Sequence, residues 1–316
     1  MGKIVCIRKL TEQDRKRVQE IAPGYEIVQT SPDTLAGHLP DAEIILGWSR
    51  SVIDGCLVAG TKLKWVQNWG AGVDKFPIQR LADCGVTLTT ASGVHANPIS
   101  ETIFAMMLAF SRNVHQAIRN QEKKVWGVKT GMNEVHGATI GIVGVGAIGE
   151  EVARLAKAFG MTVLGVRRSG GQSPHVDRMY DSSGLDDVLA ESDYLVVTVP
   201  STEETRHMFG EPQFAKMKPS AIFINIGRGA TTDTEALIAA LRNGTIAGAG
   251  LDVFEQEPLP ATSPLWDMDN VIMTPHNSGA TVHYDSRGMD IFIANLKHYI
   301  ETGRPKQNVV DYSRQY

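Results

Sequence analysis

The 316-residue sequence predicts an α/β protein of two lobes, in which a doubly wound parallel sheet is inserted into a smaller α/β unit. Three observations predict it. Short apolar runs alternate with helical stretches along the chain, the order that builds parallel sheets covered by helices. A Gly-rich turn joins a strand to a helix in the middle of the chain, not at its start. After the last apolar run, a helical pattern near His283–Glu301 and the tail Asn308-Val-Val-Asp-Tyr resume the first unit. A first lobe that is left and then rejoined would place a cleft between the two.

The elements follow in order. Lys3–Ile7, Glu43–Trp48, Leu63–Asn68 and Val86–Thr89 read as strands separated by helical or loop stretches, which makes a small α/β unit. A long helix is predicted from Pro98, whose fixed φ suits a first helical turn, through Ile103, Met107 and Phe110 to Lys123. A loop with Trp126 and Gly131 leads to the apolar run 138–143, and Gly144-x-Gly146-x-x-Gly149 follows directly. Ile148, Val152, Leu155 and Phe159 then lie on one helical stripe, with Gly160 as the stop and Thr162–Val166 as the next strand. Tyr194–Val199, Ala221–Ile226, Ala247–Val253 and Val271–Thr274 extend this second, larger sheet.

Composition excludes several classes. Asp and Glu outnumber Lys and Arg by 35 to 31, a net charge of −4, which argues against a general nucleic-acid or membrane-surface binder. Cys6, Cys56 and Cys84 are widely spaced and odd in number, as suits a reducing compartment and apolar packing. The first residues read as a strand without a signal-peptide core, and the longest apolar run, Ile103–Phe110, is too short to cross a bilayer. A cytoplasmic location is expected. The His residues and acids show no metal-ligand spacing such as H-E-x-x-H, so no metal site is expected.

The Gly-rich turn carries the first chemistry. Glycine lets a backbone turn tightly against a pyrophosphate, whose charge then rests on the N-terminus of the following helix. Gly144, Gly146, Ala147, Ile148 and Gly149 are the candidate contacts. The motif alone is weak, since many such glycines belong to ordinary turns, but here strand, helix and second strand stand at the spacing of a βαβ unit. An NAD site places an acid about twenty residues on, to grip the ribose 2′-hydroxyl. This chain has Arg167, Arg168 and Ser169 there. A guanidinium can hold a 2′-phosphate that a carboxylate would repel, so NADP(H) is favoured and NAD(H) remains possible. Solvated charge at a strand end is the plainer alternative.

Further stretches resemble the D-isomer-specific 2-hydroxyacid dehydrogenases over nearly the whole chain. They are Asn68-Trp-Gly-Ala-Gly-Val-Asp74, Gly93-Val-His-Ala-Asn-Pro-Ile-Ser-Glu101, Pro200-Ser-Thr-Glu-Glu-Thr205, Met217-Lys-Pro, Asn225-Ile-Gly-Arg-Gly229, Gly250-Leu-Asp-Val-Phe-Glu-Gln-Glu-Pro258 and Thr274-Pro-His276. The resemblance implies a Rossmann dinucleotide-binding domain at 101–283 within a smaller flavodoxin-like substrate domain at 1–100 and 284–316. It implies reversible reduction of a 2-oxo acid to a D-2-hydroxy acid. His276 matches the acid/base that protonates the carbonyl oxygen while nicotinamide delivers hydride to C2, as suits a side chain titrating near neutrality. Glu257 matches the carboxylate that fixes the histidine tautomer, and Arg228 the cation that clamps the substrate carboxylate.

Supporting roles follow by the same resemblance. Asp252 matches the residue that orients the nicotinamide carboxamide, although an acid capping a turn is equally ordinary. Pro200, Ser201 and Thr205 match the loop along the cofactor ribose and phosphates. Ala71, Gly72 and Val73 match a turn whose N–H groups hold the substrate carboxylate. Trp48 and Arg50, after the second predicted strand, are candidates for substrate specificity or plain packing. His95 is given no catalytic role. Basic residues at 167–168 fit the glyoxylate/hydroxypyruvate reductase type best, and a homodimer is expected. Two alternatives stand: an NAD-dependent phosphoglycerate-type dehydrogenase, and a corepressor-like protein that senses the dinucleotide without turning substrate over.

Overall fold

Alternating side chains along short, wholly apolar strands require cover on both faces, and helices supply it in each of two units. The computed structural model describes residues 2–31, 33–73, 76–127 and 130–313. The chain divides into two compact units, one ending at Val94 and resuming at Val282, the other spanning His95–Thr281.

In the first unit the elements are β1 (Gly2–Cys6), α1 (Glu12–Ile21), β2 (Tyr25–Gln29), β3 (Ile44–Leu46), α2 (Ser51–Cys56), β4 (Trp65–Gln67), α3 (Ile78–Asp83) and β5 (Thr87–Thr89). In the second, α4 (Ala96–Ser111), α5 (Val114–Glu122), β6 (Thr139–Val143), α6 (Ala147–Ala158), β7 (Thr162–Val166) and β8 (Arg178–Tyr180) come first. They are followed by α7 (Leu185–Glu191), β9 (Tyr194–Val197), α8 (Glu211–Phe214), β10 (Ile222–Asn225), α9 (Thr234–Arg242), β11 (Gly248–Leu251) and β12 (Val271–Met273). Helix α10 (Tyr284–Thr302) returns to the first unit.

Among the described residues the first unit holds a five-stranded parallel sheet ordered β2-β1-β3-β4-β5, the flavodoxin-like order. The second holds a seven-stranded parallel sheet ordered β12-β11-β10-β9-β6-β7-β8. Read from its first strand this is the Rossmann order with one strand added, and the order reverses between β6 and β9. Odd and even positions separate cleanly. Leu195, Val197 and Phe223 join one core cluster, while Val196, Ile222 and Ile224 join the other, one on each face. Small residues bring helices close: a Cβ on Gly250 would lie 2.8 Å from the Met106 sulfur of α4.

In the first unit the tail is stitched in place. Val310 N–H donates to the Leu88 carbonyl and Thr90 N–H to that of Asn308. Buried Asn295 accepts from the N–H groups of Lys306 and Gln307. Cys6 and Cys56 are buried, and burial pushes their thiols up to about 12 and about 11.

Three expectations need correction. The single helix from Pro98 to Lys123 starts at Ala96 and is two helices, broken at Asn113, which adopts φ 57°. Asparagine tolerates that conformation better than most residues. Strands β2 and β8 add to the strands read from the sequence. Both are sheet edges with partly exposed, polar-containing sequences, so neither carries the fully apolar signature of a central strand. Because β2 intervenes, Trp48 and Arg50 follow the third strand and not the second.

Candidate active site

The second unit is built around the turn after β6. Gly144 takes φ 104°, and a Cβ there would press on Thr198 Oγ1 at 2.8 Å and Val199 Cγ1 at 2.9 Å. A Cβ on Gly149 would stand 2.7 Å from the Gly144 carbonyl oxygen, so only glycine lets α6 start this close to the strand. Gly146 meets nothing within 4 Å and gives α6 no side-chain cap. The result is an open backbone cradle at a helix N-terminus, at the point where strand order reverses. Its shape and polarity fit a pyrophosphate at the first-turn N–H groups of Ala147, Ile148 and Gly149.

At the end of β7, Arg167 is held on two sides. Its Nε donates to the Val145 carbonyl at 2.6 Å and its Nη2 to Glu150 Oε1 at 2.7 Å. Ser173 Oγ donates to the other Glu150 oxygen. Arg168 and Ser169 follow as exposed residues in a turn closed by Gly170 N–H on the Arg167 carbonyl. Sequence reasoning does not single out Glu150, which the structure places in the first turn of α6. Thr205 Oγ1 accepts from Thr202 N–H and donates to the Pro200 carbonyl, which closes the loop that includes Ser201.

Arg228 lies on a loop after β10 that buried Asn225 organises. Asn225 Oδ1 accepts from Gly227 N–H, and its Nδ2 donates to the Arg228 carbonyl at 3.2 Å, Thr231 Oγ1 at 3.1 Å and Thr232 Oγ1 at 3.0 Å. Gly229 is obligatory, because a Cβ would fall 1.9 Å from the Phe254 carbonyl carbon. That contact fixes the Arg228 loop against the loop carrying Glu255 and Glu257. His207 adds a second tie: its Nε2 meets Glu255 Oε1 at 2.6 Å, while Glu255 Oε2 accepts from Thr234 N–H at the start of α9.

Glu257 and His276 meet at 2.7 Å through Oε2 and Nδ1. Phe254 N–H donates to the other Glu257 oxygen. Burial pushes the Glu257 carboxyl up, but the His276 and Phe254 hydrogen bonds and the charges of His276 and Arg228 outweigh it. The net effect holds it below the usual carboxylate range. His276 sits at φ 49°, with its N–H on the Asp252 and Thr274 carbonyls. Asp252 is buried, and its carboxylate accepts from Thr274 Oγ1, Asn277 N–H and both the N–H and Oγ of Ser278. The turn-capping reading of Asp252 is therefore visible in the geometry.

His95 belongs to the same neighbourhood. Its ring leaves room for no Cβ on Gly279, three residues past His276, and burial followed by the charge of Arg228 lowers its pKa. Arg228 thus acts electrostatically on both His95 and Glu257. Among the described residues no group of three His, Cys, Asp or Glu side chains is arranged to hold a metal.

The remaining candidates lie in the first unit. Asn68 Nδ2 donates to the carbonyls of Gly70 and Gly72 at 3.0 Å each. Among the described residues the N–H groups of Ala71, Gly72 and Val73 donate no hydrogen bond, as an anion-binding turn requires. Asp74 lies outside the described residues. Trp48 packs against Phe76 with ring centroids 4.3 Å apart and planes tilted by 30°, and it joins the cluster containing Val73, while Arg50 is exposed ahead of α2.

Comparison with known proteins places these features among relatives. Residues 104–278 match the family described as D-isomer specific 2-hydroxyacid dehydrogenase, NAD binding domain. Glyoxylate/hydroxypyruvate reductase B of Escherichia fergusonii is 38% identical over 287 residues, 88% of each chain. A D-isomer specific 2-hydroxyacid dehydrogenase family protein from Aeromonas salmonicida superposes with a TM-score of 0.84 at 32% identity, covering 98% of this chain and 99% of that one. An NADPH-dependent glyoxylate/hydroxypyruvate reductase from Sinorhizobium meliloti, solved with NADP and sulfate, gives 0.82 at 28% identity over the full length of both.

Proposed function

The chain belongs to the D-isomer-specific 2-hydroxyacid dehydrogenase family, and from that membership we propose that it reduces glyoxylate, hydroxypyruvate or a similar small 2-oxo acid, with NADPH preferred and NADH usable. NAD(P)-dependent conversion of a 2-oxo acid to a 2-hydroxy acid is the chemistry of this family. The observation that carries the reading is the 2.7 Å pair of His276 and Glu257, in the same unit as the Gly-rich cradle and Arg228.

Bound nicotinamide supplies the hydride. His276 supplies the proton: Nδ1 is engaged by Glu257, so Nε2 is the atom that donates to the carbonyl oxygen. Glu257 fixes that tautomer and offsets the imidazolium charge. Arg228, a permanent cation, binds the substrate carboxylate and polarises the carbonyl. The N–H groups of Ala71, Gly72 and Val73 are assigned to the substrate carboxylate, and Trp48 and Arg50 to substrate specificity. Gly144, Gly146, Ala147, Ile148 and Gly149 hold the pyrophosphate, and Pro200, Ser201 and Thr205 the neighbouring ribose and phosphates. Asp252 orients the carboxamide, and Arg167, Arg168 and Ser169 receive the 2′-phosphate. The unit at 95–281 is accordingly the dinucleotide-binding one and the other the substrate-binding one.

Support for NADPH comes from two arginines where an acid would grip a ribose diol, and from the NADP in the Sinorhizobium relative. Among the described residues no helix is long and apolar enough to cross a membrane. We propose a cytoplasmic location and a homodimer, the first from the absence of a signal-peptide pattern in the sequence and the second from the family resemblance. Nothing favours the corepressor-like reading. Purified protein mixed with each reduced cofactor and a panel of 2-oxo acids tests the assignment by cofactor absorbance. Turnover of glyoxylate or hydroxypyruvate with higher kcat/KM for NADPH is expected, and binding without turnover of any acid would refute it.

A further inference from the structure

Two consecutive acids open α6, and they behave differently. Glu151 makes a two-pronged pair with Arg154 one turn along the same helix. Glu150 turns the other way, to the end of β7, where one oxygen takes Arg167 Nη2 at 2.7 Å and the other takes Ser173 Oγ. The first helical turn stabilises a carboxylate there through the positive end of the helix dipole. Arg167 is pinned by this pair and by the Val145 carbonyl, and among the described residues its Nη1 makes no hydrogen bond. The uncommitted nitrogen lies 3.7 Å from where a Gly171 Cβ would be, and Ser169 Oγ lies 3.5 Å from the same point. One guanidinium is thus held by an acid on one edge and open on another.

We propose that Glu150 is a specificity-determining residue that limits the preference for NADPH over NADH, by sharing the Arg167 guanidinium with the cofactor 2′-phosphate. This rests on the reading of Arg167 as the 2′-phosphate contact. A carboxylate on the same cation partly neutralises it and repels a dianionic phosphate. A neutral ribose diol suffers no such repulsion, and it can donate a hydrogen bond to a carboxylate. Glu150 therefore weakens binding of the phosphorylated cofactor selectively. The side chains of Glu150 and Arg167 are 32% and 30% exposed, so the effect is moderate and screened by salt.

The test is direct binding, by calorimetry, of adenosine 2′,5′-bisphosphate and adenosine 5′-monophosphate, which differ only in the 2′-phosphate. Wild type, Glu150→Gln, Glu150→Ser and Arg167→Ala are compared at low and high salt. Either Glu150 variant should tighten the bisphosphate by about threefold to tenfold and leave the monophosphate within about twofold, with the gain shrinking at high salt. Arg167→Ala should weaken the bisphosphate alone. If Arg167→Ala lowers the binding ratio but neither Glu150 variant raises it, the competition is refuted and Arg167 keeps its role. If Arg167→Ala leaves the ratio unchanged, the 2′-phosphate reading itself falls and the proposal falls with it.

Discussion

The main-chain N–H of His276 donates to the Asp252 carbonyl at 2.9 Å, so the ring that meets Glu257 rises from a backbone bent to φ 49°. Asp252 holds this bend from both ends, with its carbonyl on His276 and its carboxylate on Thr274, Asn277 and Ser278. Asp252→Asn replaces an acceptor oxygen with an NH2 facing donors. A loss of about 1–3 kcal/mol in unfolding free energy is expected, together with reduced kcat. Thermal melting and steady-state kinetics check it; unchanged melting would show that the carboxylate does not carry the loop.

Glu257→Gln removes the anion beside His276 Nδ1. Despite burial, the His276 and Phe254 hydrogen bonds and the nearby charges hold the wild-type carboxyl below its usual range, so wild-type kcat/KM should drop as pH falls through that lowered value, a step the variant lacks. Activity at neutral pH should fall by about tenfold or more. A pH profile of kcat/KM that coincides with wild type would refute the pairing.

Arg228→Lys keeps the charge but not the planar fork, so kcat/KM for the 2-oxo acid should drop by about a hundredfold while cofactor binding persists. Wild-type kinetics in that variant would remove Arg228 from the substrate clamp.

Gly229→Ala drives a Cβ into the backbone at Phe254, where no flexible side chain can yield. A cost of about 3 kcal/mol is expected, visible as a lower melting temperature, with displacement of Arg228 lowering activity further. A variant as stable as wild type would contradict the close approach of these two loops.

Glu255 should set part of the acid limb of stability. Burial pushes its carboxyl up, but the bonds from Thr234 and His207 outweigh that and hold it below the usual range. A group lowered by folding contributes stability above its unfolded value of about 4.3 and loses that contribution as pH falls through the folded value. Glu255→Gln should therefore melt lower than wild type at neutral pH, with the gap closing below about pH 4. A gap that persists into acid would show that ionisation of Glu255 is not its source.

Much of this was legible from local pattern. The strand before Gly144, the stripe of α6 and Arg167 at the end of β7 depend on neighbours within a few residues, and periodicity reports those. His276, Glu257 and Arg228 are singled out only through motif order, because nothing local distinguishes them from a loop histidine, a surface acid and a solvated arginine. Strands β2 and β8 escaped notice because an edge needs only half-buried residues, and the break at Asn113 rests on a single positive φ. Glu150 was invisible as a partner of Arg167, since seventeen positions separate them and only the βαβ turn brings the helix start beside the strand end.

The most direct test of the central claim is His276→Ala, assayed for both NADPH binding and reduction of glyoxylate and hydroxypyruvate. If His276 Nε2 is the proton donor as proposed, its loss should cut kcat by about a hundredfold or more while NADPH binds as in wild type. Wild-type turnover by the variant would contradict the assignment of His276 as the proton donor.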